Sequence, residues 1–340
     1  MNSARKNKNY TLEFCRILFT FLVVFHHGQS FIYGQPETGI LKHGYVAVDF
    51  FFMLSGYLVY RSFCKEEKHS SFSFAANKIK RLYPEYLPAA VLSIAANMFG
   101  GMPFYLDKAV NEILMVQNTG LFRQGGYNFP CWYIPVMLFA GLLIYGLLSL
   151  YFDLFKKVLL PIFIVGGYCF IFNFEQGLEN WQYYLFVSLP VVRALAGMSV
   201  GVLVGILHEK ELLKGISVLF GTIVELSAIV LAVIGLFTDL GSEMLTVFAF
   251  FGILWCAVCQ YGYIGKALNK KCFYRLSEYS YSTYLNHALV LVVLIKMHKT
   301  VLPLSSPILR AALYLAGVFI WSVLAHKAVG SAVSRWRTIR

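Results

Sequence analysis

Long apolar stretches, separated by short polar connections, dominate the pattern of this sequence. A membrane-spanning helix needs about 20 mostly apolar residues, so each stretch near this length predicts one span. The third stretch is the weakest, because it contains Pro88, Asn97 and the pair Gly100–Gly101. The pattern predicts an all-α bundle of about ten transmembrane helices, at residues 12–33, 44–62, 86–104, 132–152, 158–174, 188–207, 216–237, 244–263, 281–297 and 306–329.

Composition places the chain among integral membrane proteins. Of its 340 residues, 58% are hydrophobic and 14% are charged, whereas soluble domains contain about 25% charged residues. The spans leave no stretch long enough for a separate soluble domain. We therefore predict a single integral membrane domain over residues 1–340, multi-pass in the lipid bilayer of a cell membrane. Its compact architecture suits a bacterial inner membrane.

The distribution of Lys and Arg predicts the orientation of the bundle. The net charge of +12 comes mostly from the N-terminal segment and from every second connection after it. Cytoplasmic loops carry an excess of Lys and Arg, so both termini are predicted to be cytoplasmic. This arrangement accounts for the positive charge without nucleic acid, and no nucleic-acid partner is expected.

The seven cysteines do not predict a metal site. They are scattered along the chain, mostly in apolar stretches, where a free cysteine behaves as a small hydrophobic residue. Cys256 and Cys259 form a CxxC pair, but they lie within an apolar stretch and have no second ligand pair.

The cytoplasmic connection at residues 63–85 is the most distinctive loop of the predicted topology. It joins a Ser-rich stretch, HSSFSF, to a basic run, NKIKRLYPEYLP, that contains Lys78, Lys80 and Arg81. Such a loop can lie on the membrane surface with its basic side chains at anionic headgroups. It can equally form a site for an anionic ligand, and the sequence leaves both interpretations open.

Arg16 and His27 lie inside the first apolar stretch, FCRILFTFLVVFHHGQSF. A charged or titratable side chain within a span is costly and rare, so it indicates a functional site. Eleven residues at about 100° each make about three turns plus 20°, so the two side chains share one face of the helix. In the ninth stretch, Tyr284 and Asn286 accompany His287, which predicts a second polar lining.

Depth along the helices brings other polar side chains to the level of His27. At about 1.5 Å per residue, His27, Asp49 and Arg193 all lie within about 10 Å of the outer face. A carboxylate beside an imidazole orients the ring and supports its protonated form, as in general-base catalysis. The same pair can instead hold two helices together. Arg193 can bind an anionic or sugar substrate, or extend to the lipid headgroups.

Four blocks that follow one another along most of the chain form a specific pattern. They are Arg16 through His27, VAVDFFFMLSGYLVYR at 46–61, KIKRLYPEY at 78–86 and SYSTYLNH at 280–287. In this order they resemble the acyltransferase 3 family of integral-membrane acyltransferases. CWYIPVMLFAGLLIY at 131–145 is similar to a further, aromatic block of that family. The chain departs from the pattern at Lys78, where arginine is usual, and at Pro135, near which the family often has an acidic residue.

The resemblance implies transfer of an acyl group, usually acetyl, from cytoplasmic acyl-CoA to a hydroxyl of an extracytoplasmic or lipid-linked carbohydrate. Acetyl-CoA is then the donor substrate, and no permanently bound cofactor is implied. His27 would act either as base on the acceptor hydroxyl or as a transient carrier of the acyl group, and the sequence does not separate these two mechanisms.

Site residues follow from the resemblance together with the depth argument. The predicted catalytic residues are His27, Asp49 and Arg16. Arginine and lysine suit the phosphates of CoA, and the predicted donor-binding residues are Arg16, Lys78, Lys80 and Arg81. The predicted substrate-binding residues are Ser55, Arg193, Tyr284 and His287.

A proton-coupled transporter or flippase of a glycan precursor is the alternative function. Intramembrane Arg, His and Asp suit a proton-coupled carrier equally well. Transporters are often built from two related halves with broken helices in corresponding positions. The sequence shows no such internal symmetry, which favours the enzyme.

Overall fold

Helices make up nearly all of the described chain. The computed structural model describes residues 8–34, 39–65, 70–121, 125–175, 177–178, 182–184, 187–211, 215–238, 242–301 and 303–338. Within this part, the only strands are β1 (Tyr183–Tyr184) and β2 (Val187–Ser188), which form a small antiparallel ribbon. The predicted all-α class is confirmed.

The helices follow the apolar stretches of the sequence closely. Short 3₁₀ turns at Gly44–Val46 and Phe129–Trp132 lead into α2 and α5, and π-helical turns at Phe155–Leu159 and Ile162–Gly166 lie between α6 and α7. The α-helices are α1 (Tyr10–Tyr33), α2 (Ala47–Phe63), α3 (Ser71–Gly100), α4 (Leu106–Ile113), α5 (Tyr133–Leu150), α6 (Phe152–Leu154), α7 (Gly167–Asn173), α8 (Leu189–Glu209), α9 (Val218–Phe237), α10 (Glu243–Cys259), α11 (Tyr263–Leu268), α12 (Cys272–Ser277), α13 (Ser280–Thr300) and α14 (Pro307–Thr338).

Polar side chains fix where several of these helices begin. The first backbone N–H groups of a helix have no partner within the helix, and Ser or Asn at the N-cap can satisfy one of them. In α3, α8, α9 and α10 the cap is a serine whose hydroxyl accepts a backbone N–H three residues later, and in α1 it is Asn9. The sequence therefore encodes these helix starts locally.

Six helical segments are long and apolar enough to cross a membrane, and a seventh qualifies if the pair at 152–159 and 162–173, bent by 42°, counts as one span. These segments make the protein an integral membrane protein. All ten predicted stretches overlap helices, but α3, α10 and α13 do not meet the same criterion, because α10 is short and the other two carry polar residues. The count of ten spans and the cytoplasmic position of the termini stay predictions.

The basic segment at 63–85 differs from the predicted loop. From Ser71 onward it is helical and continues without a break into the third apolar stretch, as the first half of α3. The Ser70 cap starts the helix, and Pro84 and Pro88 lie inside it. Because the basic run belongs to a regular helix, its side chains point in different directions.

Close packing of α2 against α8 forms the centre of the bundle. A Cβ atom at Gly56 would lie 1.8 Å from the carbonyl oxygen of Met198, and one at Gly201 would lie 1.8 Å from that of Met53. Only glycine allows the two backbones to approach this closely, as at many helix contacts in membranes. Most residues of α8 are buried inside the protein, whereas only a minority are in α9 and α14. The two close backbone contacts therefore hold α2 and α8 together at the centre of the bundle.

Candidate active site

A cavity of about 480 Å³ lies at the end of α1 that carries His27. The sequence predicts that this end is extracytoplasmic, so we call it the outer cavity. It brings together three of the predicted site residues, which are His27, Arg193 and Tyr284. The rest of its lining includes His26, Tyr45, Asn118, Gly125, Gly126, Phe129, Pro130, Trp132 and Tyr183. Aromatic rings together with hydrogen-bonding groups are a surface to which a carbohydrate can bind.

His27 is paired with His287, not with Asp49. Nδ1 of His27 and Nε2 of His287 are 2.9 Å apart, and the two rings are nearly parallel. His287 is fully buried, and its own Nδ1 lies 2.7 Å from the carbonyl oxygen of Tyr284. The two histidines were predicted to have separate roles, and the structure joins residues that are 260 positions apart.

The hydrogen bonds of this pair determine which nitrogen carries each proton. A carbonyl oxygen can only accept, so Nδ1 of His287 carries the proton and Nε2 of His287 is an acceptor. Nδ1 of His27 must then donate to it, which leaves a free lone pair on Nε2 of His27. The backbone of α13 thus fixes His27 in the tautomer that a general base needs, the function that a carboxylate has in other enzymes.

Asp49 has a different partner from the one predicted. Its carboxylate forms a buried ion pair with Arg193, with 2.6 Å between Oδ2 and Nη2 and further bonds from Nε. The guanidinium fork matches a carboxylate geometrically, so a buried aspartate at this depth pairs with arginine more favourably than with a neutral imidazole. The prediction that Asp49 orients His27 is therefore wrong.

Arg193 is also less free to bind substrate than the sequence suggested. Besides Asp49, it donates to the carbonyl oxygens of Leu178 and Tyr45 at 2.9 and 3.0 Å, so four of its five N–H groups are occupied. Glu243 accepts from the hydroxyl of Tyr45 and the N–H of Leu178. Arg193 therefore lines the outer cavity chiefly as part of the network that connects α2, α8 and α10.

A second cavity, of about 360 Å³, lies beside α3 and α5, and we call it the inner cavity. Its lining is mostly apolar and includes Phe74, Met115, Pro135, Met137 and Leu138. Two predicted site residues, Ser55 and Lys78, also line it. Burial, together with the charges of Arg81 and Lys65, lowers the pKa of Lys78 from 10.5 to about 8. The inner cavity thus combines a mostly apolar lining with one cationic side chain.

Tyr133 lies between the two cavities. Its hydroxyl hydrogen-bonds Ser55 of the inner cavity at 2.9 Å and donates to the carbonyl oxygen of Phe51 at 3.0 Å. Its ring lies 6.0 Å from that of Tyr284, which lines the outer cavity and donates to the carbonyl oxygen of Pro130. The two tyrosines therefore form a partition between the cavities, which we call the tyrosine partition.

The remaining predicted residues are not brought into either cavity. Arg16 pairs with Glu13 at 2.8 Å. Lys80 and Arg81 are exposed and do not line the inner cavity. Their predicted contact with CoA stays a prediction.

Residues that the sequence did not single out complete the site. Tyr133 and Trp132 belong to the aromatic block at 131–145, which was recognised in the sequence without a role for either residue. Glu112 is fully buried on α4 and binds the segment that forms one wall of the outer cavity. Nothing in its local sequence distinguishes it from a surface glutamate. Within the described ranges, His, Cys, Asp and Glu do not form a group of three that could hold a metal ion.

Comparison with known proteins assigns the family. The profile of the family described as an acyltransferase domain, Acyl_transf_3, matches residues 9–327. An O-acetyl transferase of Shigella phage Sf6 is 27% identical over 146 residues, which are 38% of this chain and 43% of that relative, so less than half of the relative is matched. No solved structure matches. Because the family match covers nearly the whole chain, the protein belongs to the acyltransferase 3 family.

Proposed function

We propose that the protein transfers an acetyl group from acetyl-CoA, bound on the cytoplasmic side, to a hydroxyl of a cell-surface or lipid-linked carbohydrate in the outer cavity. The observation that carries this proposal is the His27–His287 pair, which leaves Nε2 of His27 as a free base at that cavity. The relative's name, O-acetyl transferase, supports acetyl as the acyl group and oxygen as the acceptor atom.

In the proposed reaction, Nε2 of His27 removes the proton of the acceptor hydroxyl. The oxygen attacks the thioester carbonyl carbon of acetyl-CoA, the new C–O bond forms, and the C–S bond breaks. The CoA thiolate leaves and is released as the thiol after taking up a proton. Positioned general bases contribute about 10²–10⁴-fold to such reactions. His287 supports the step because its Nε2 accepts the hydrogen bond of His27, so the positive charge of the protonated base is shared with a second ring.

The donor would reach the acceptor through the inner cavity and the tyrosine partition. The pantetheine arm of CoA is narrow and uncharged, and the inner cavity has a mostly apolar lining along which such an arm can lie. The phosphates of CoA would lie at the basic half of α3, where Lys78 lines the cavity and Lys80 and Arg81 are exposed. The thioester must then pass Tyr133 and Tyr284, so the partition has to open during each turnover.

The proposal includes a multi-pass position in a bacterial inner membrane with both termini in the cytoplasm. The excess of Lys and Arg in alternate connections supports this orientation. It would place the inner cavity on the side where acyl-CoA is made and the outer cavity on the side of the surface carbohydrate.

The transporter or flippase stays the alternative. Proton coupling requires an acidic or basic group that is free to change its charge. The ion pair between Asp49 and Arg193 removes two of the groups on which that alternative relied. The remaining histidine pair is compatible with either function, so an experiment has to decide between them.

Membranes that contain the wild-type protein would be supplied with acetyl-labelled acetyl-CoA and a surface-glycan extract. We expect label in the glycan with the wild type, none with His27→Ala, and wild-type labelling with His208→Ala, a matched histidine on α8 outside both cavities. Retained labelling in His27→Ala would remove His27 from the mechanism. If neither the wild type nor any folded variant transfers label, and vesicles instead take up a glycan precursor, the protein would be a transporter and not an enzyme.

A further inference from the structure

Glu112 is a fully buried carboxyl group that the proposed reaction does not use. It lies on the short helix α4, and its side-chain partners are backbone groups of a distant segment. Oε1 and Oε2 accept the N–H of Asn128 at 3.1 and 3.3 Å, and Oε2 also accepts the N–H of Tyr127. A carboxylate that accepts several backbone N–H groups holds a segment in one geometry.

The segment is shaped to this carboxylate. A Cβ atom at Gly126 would lie 2.8 Å from Oε2 of Glu112, so a side chain at this position would force the carboxylate or the segment to shift. On its other side Glu112 is tied to α3, because the hydroxyl of Tyr86 donates to its carbonyl oxygen at 2.8 Å, and Gln117 in turn donates to Tyr86. The carboxylate is thus fixed relative to the bundle, and its hydrogen bonds hold residues 126–128 in place.

The same segment forms the wall of the outer cavity next to the histidine pair. Gly125, Gly126, Phe129 and Pro130 line the cavity, and the ring of Phe129 packs edge-on against His27, with 5.0 Å between centroids. Asn128 donates from its side chain to the carbonyl oxygen of Leu285 at 2.8 Å, two residues before His287 on α13. Through these contacts the segment touches the surroundings of both histidines.

We propose that Glu112 is a positioning residue of the active site, which holds segment 126–130 through the N–H groups of Tyr127 and Asn128 and thereby fixes the His27–His287 pair and the acceptor wall. The proposal rests on the proposed function for its kinetic consequences, but the clamp itself can be measured without any turnover. Glu112 touches neither substrate, so it acts only through the segment.

The clamp depends on pH. Burial raises the pKa of Glu112 to about 7, although the two N–H groups oppose this shift. The titratable groups that face it are Tyr86 on α3, Tyr127 in the clamped segment and Cys131 just after that segment, while Asp107 and Lys108 lie on its own helix. Above about pH 7 the carboxylate accepts all the N–H groups. Below it, one oxygen becomes a donor, so the clamp weakens as pH falls through about 7.

Hydrogen–deuterium exchange of the protein in lipid nanodiscs tests the clamp directly. After correction for intrinsic exchange, the amides of Tyr127 and Asn128 should be protected in the wild type above pH 7 and lose protection as pH falls. Glu112→Gln should lack the pH step and show weaker protection, because one of the two acceptor oxygens becomes an NH2 group, which cannot accept an N–H. Glu278→Gln, an exposed glutamate outside the site, should behave as the wild type. Unchanged protection in Glu112→Gln would overturn the proposal.

Acyl-transfer kinetics then test the positioning role. Glu112→Gln should lower kcat by about tenfold to a hundredfold while the KM for acetyl-CoA stays unchanged, since misplacement of a reacting group by about 1 Å has this effect. Gly126→Ala, whose Cβ would force the Glu112 carboxyl group and the segment apart, should give the same pattern and covers the case that Glu112→Gln does not fold. If exchange changes but kcat does not, Glu112 is only structural. A wild type without transfer activity would refute the proposed function and leave the exchange result standing.

Discussion

Removal of the Asp49 carboxylate should destabilise the protein rather than interfere directly with proton transfer. In Asp49→Leu, Arg193 keeps its charge because a guanidinium does not lose its proton in proteins. Its remaining hydrogen-bond acceptors are the carbonyl oxygens of Leu178 and Tyr45, and its side chain is 7% exposed. Breaking a buried ion pair in this way costs about 3–5 kcal/mol, a large part of the total stability of about 5–15 kcal/mol of a typical protein.

The double variant Asp49→Leu/Arg193→Met tests whether the unpaired charge of Arg193 causes the loss of stability in Asp49→Leu. It removes the uncompensated charge, although Leu178 and Tyr45 lose a hydrogen-bond donor. Replacement of both partners of a buried ion pair is often neutral or stabilising, so we expect the double variant to be more stable than Asp49→Leu by at least about 1 kcal/mol. The free energy of unfolding would be measured by denaturant titration in mixed micelles, with acyl transfer measured on the same samples.

Two results would refute this reasoning. One is an Asp49→Leu variant as stable as the wild type. The other is a double variant no more stable than Asp49→Leu. If Asp49→Leu is fully stable and yet inactive, Asp49 contacts the chemistry, as the sequence alone suggested.

Three further predictions follow from the same geometry. His287→Ala should lower kcat about a hundredfold or more with little change in the KM for acetyl-CoA, because His27 loses the acceptor that fixes its tautomer. An unchanged kcat in this variant would exclude the histidine pair as the general base. The KM for acetyl-CoA should rise as pH increases through about 8, where Lys78 loses its charge. Lys78→Met should have a raised KM at all pH values, without this step. A wild-type pH profile in that variant would contradict the proposed role of Lys78 in donor binding. Gly56→Ala should prevent folding, since its Cβ would lie 1.8 Å from a carbonyl oxygen of α8, whereas Gly330→Ala, with open space around its Cβ, should give normal yields of monodisperse protein.

The sequence by itself determined the helices, the membrane class and the family. These properties follow from local patterns, because each apolar stretch predicts a helix and each serine cap marks a start without reference to the rest of the chain. The shared face of Arg16 and His27 and the block SYSTYLNH at 280–287 were also readable, and they drew attention to the right two helices. The helical form of residues 71–85 was missed, because a basic segment between apolar stretches has the composition of a loop.

Tertiary structure decided which side chains meet. Depth placed His27, Asp49 and Arg193 at one level, but helical periodicity does not tell which neighbouring helix faces a given side. Because α2 packs on α8, Asp49 forms its ion pair with Arg193. Because α1 packs against α13, His27 forms its hydrogen bond with His287. Glu112 becomes a clamp only because the chain returns to it 15 residues later. Contacts between distant segments depend on how all the helices pack together, and that information is not contained in any local stretch of the sequence.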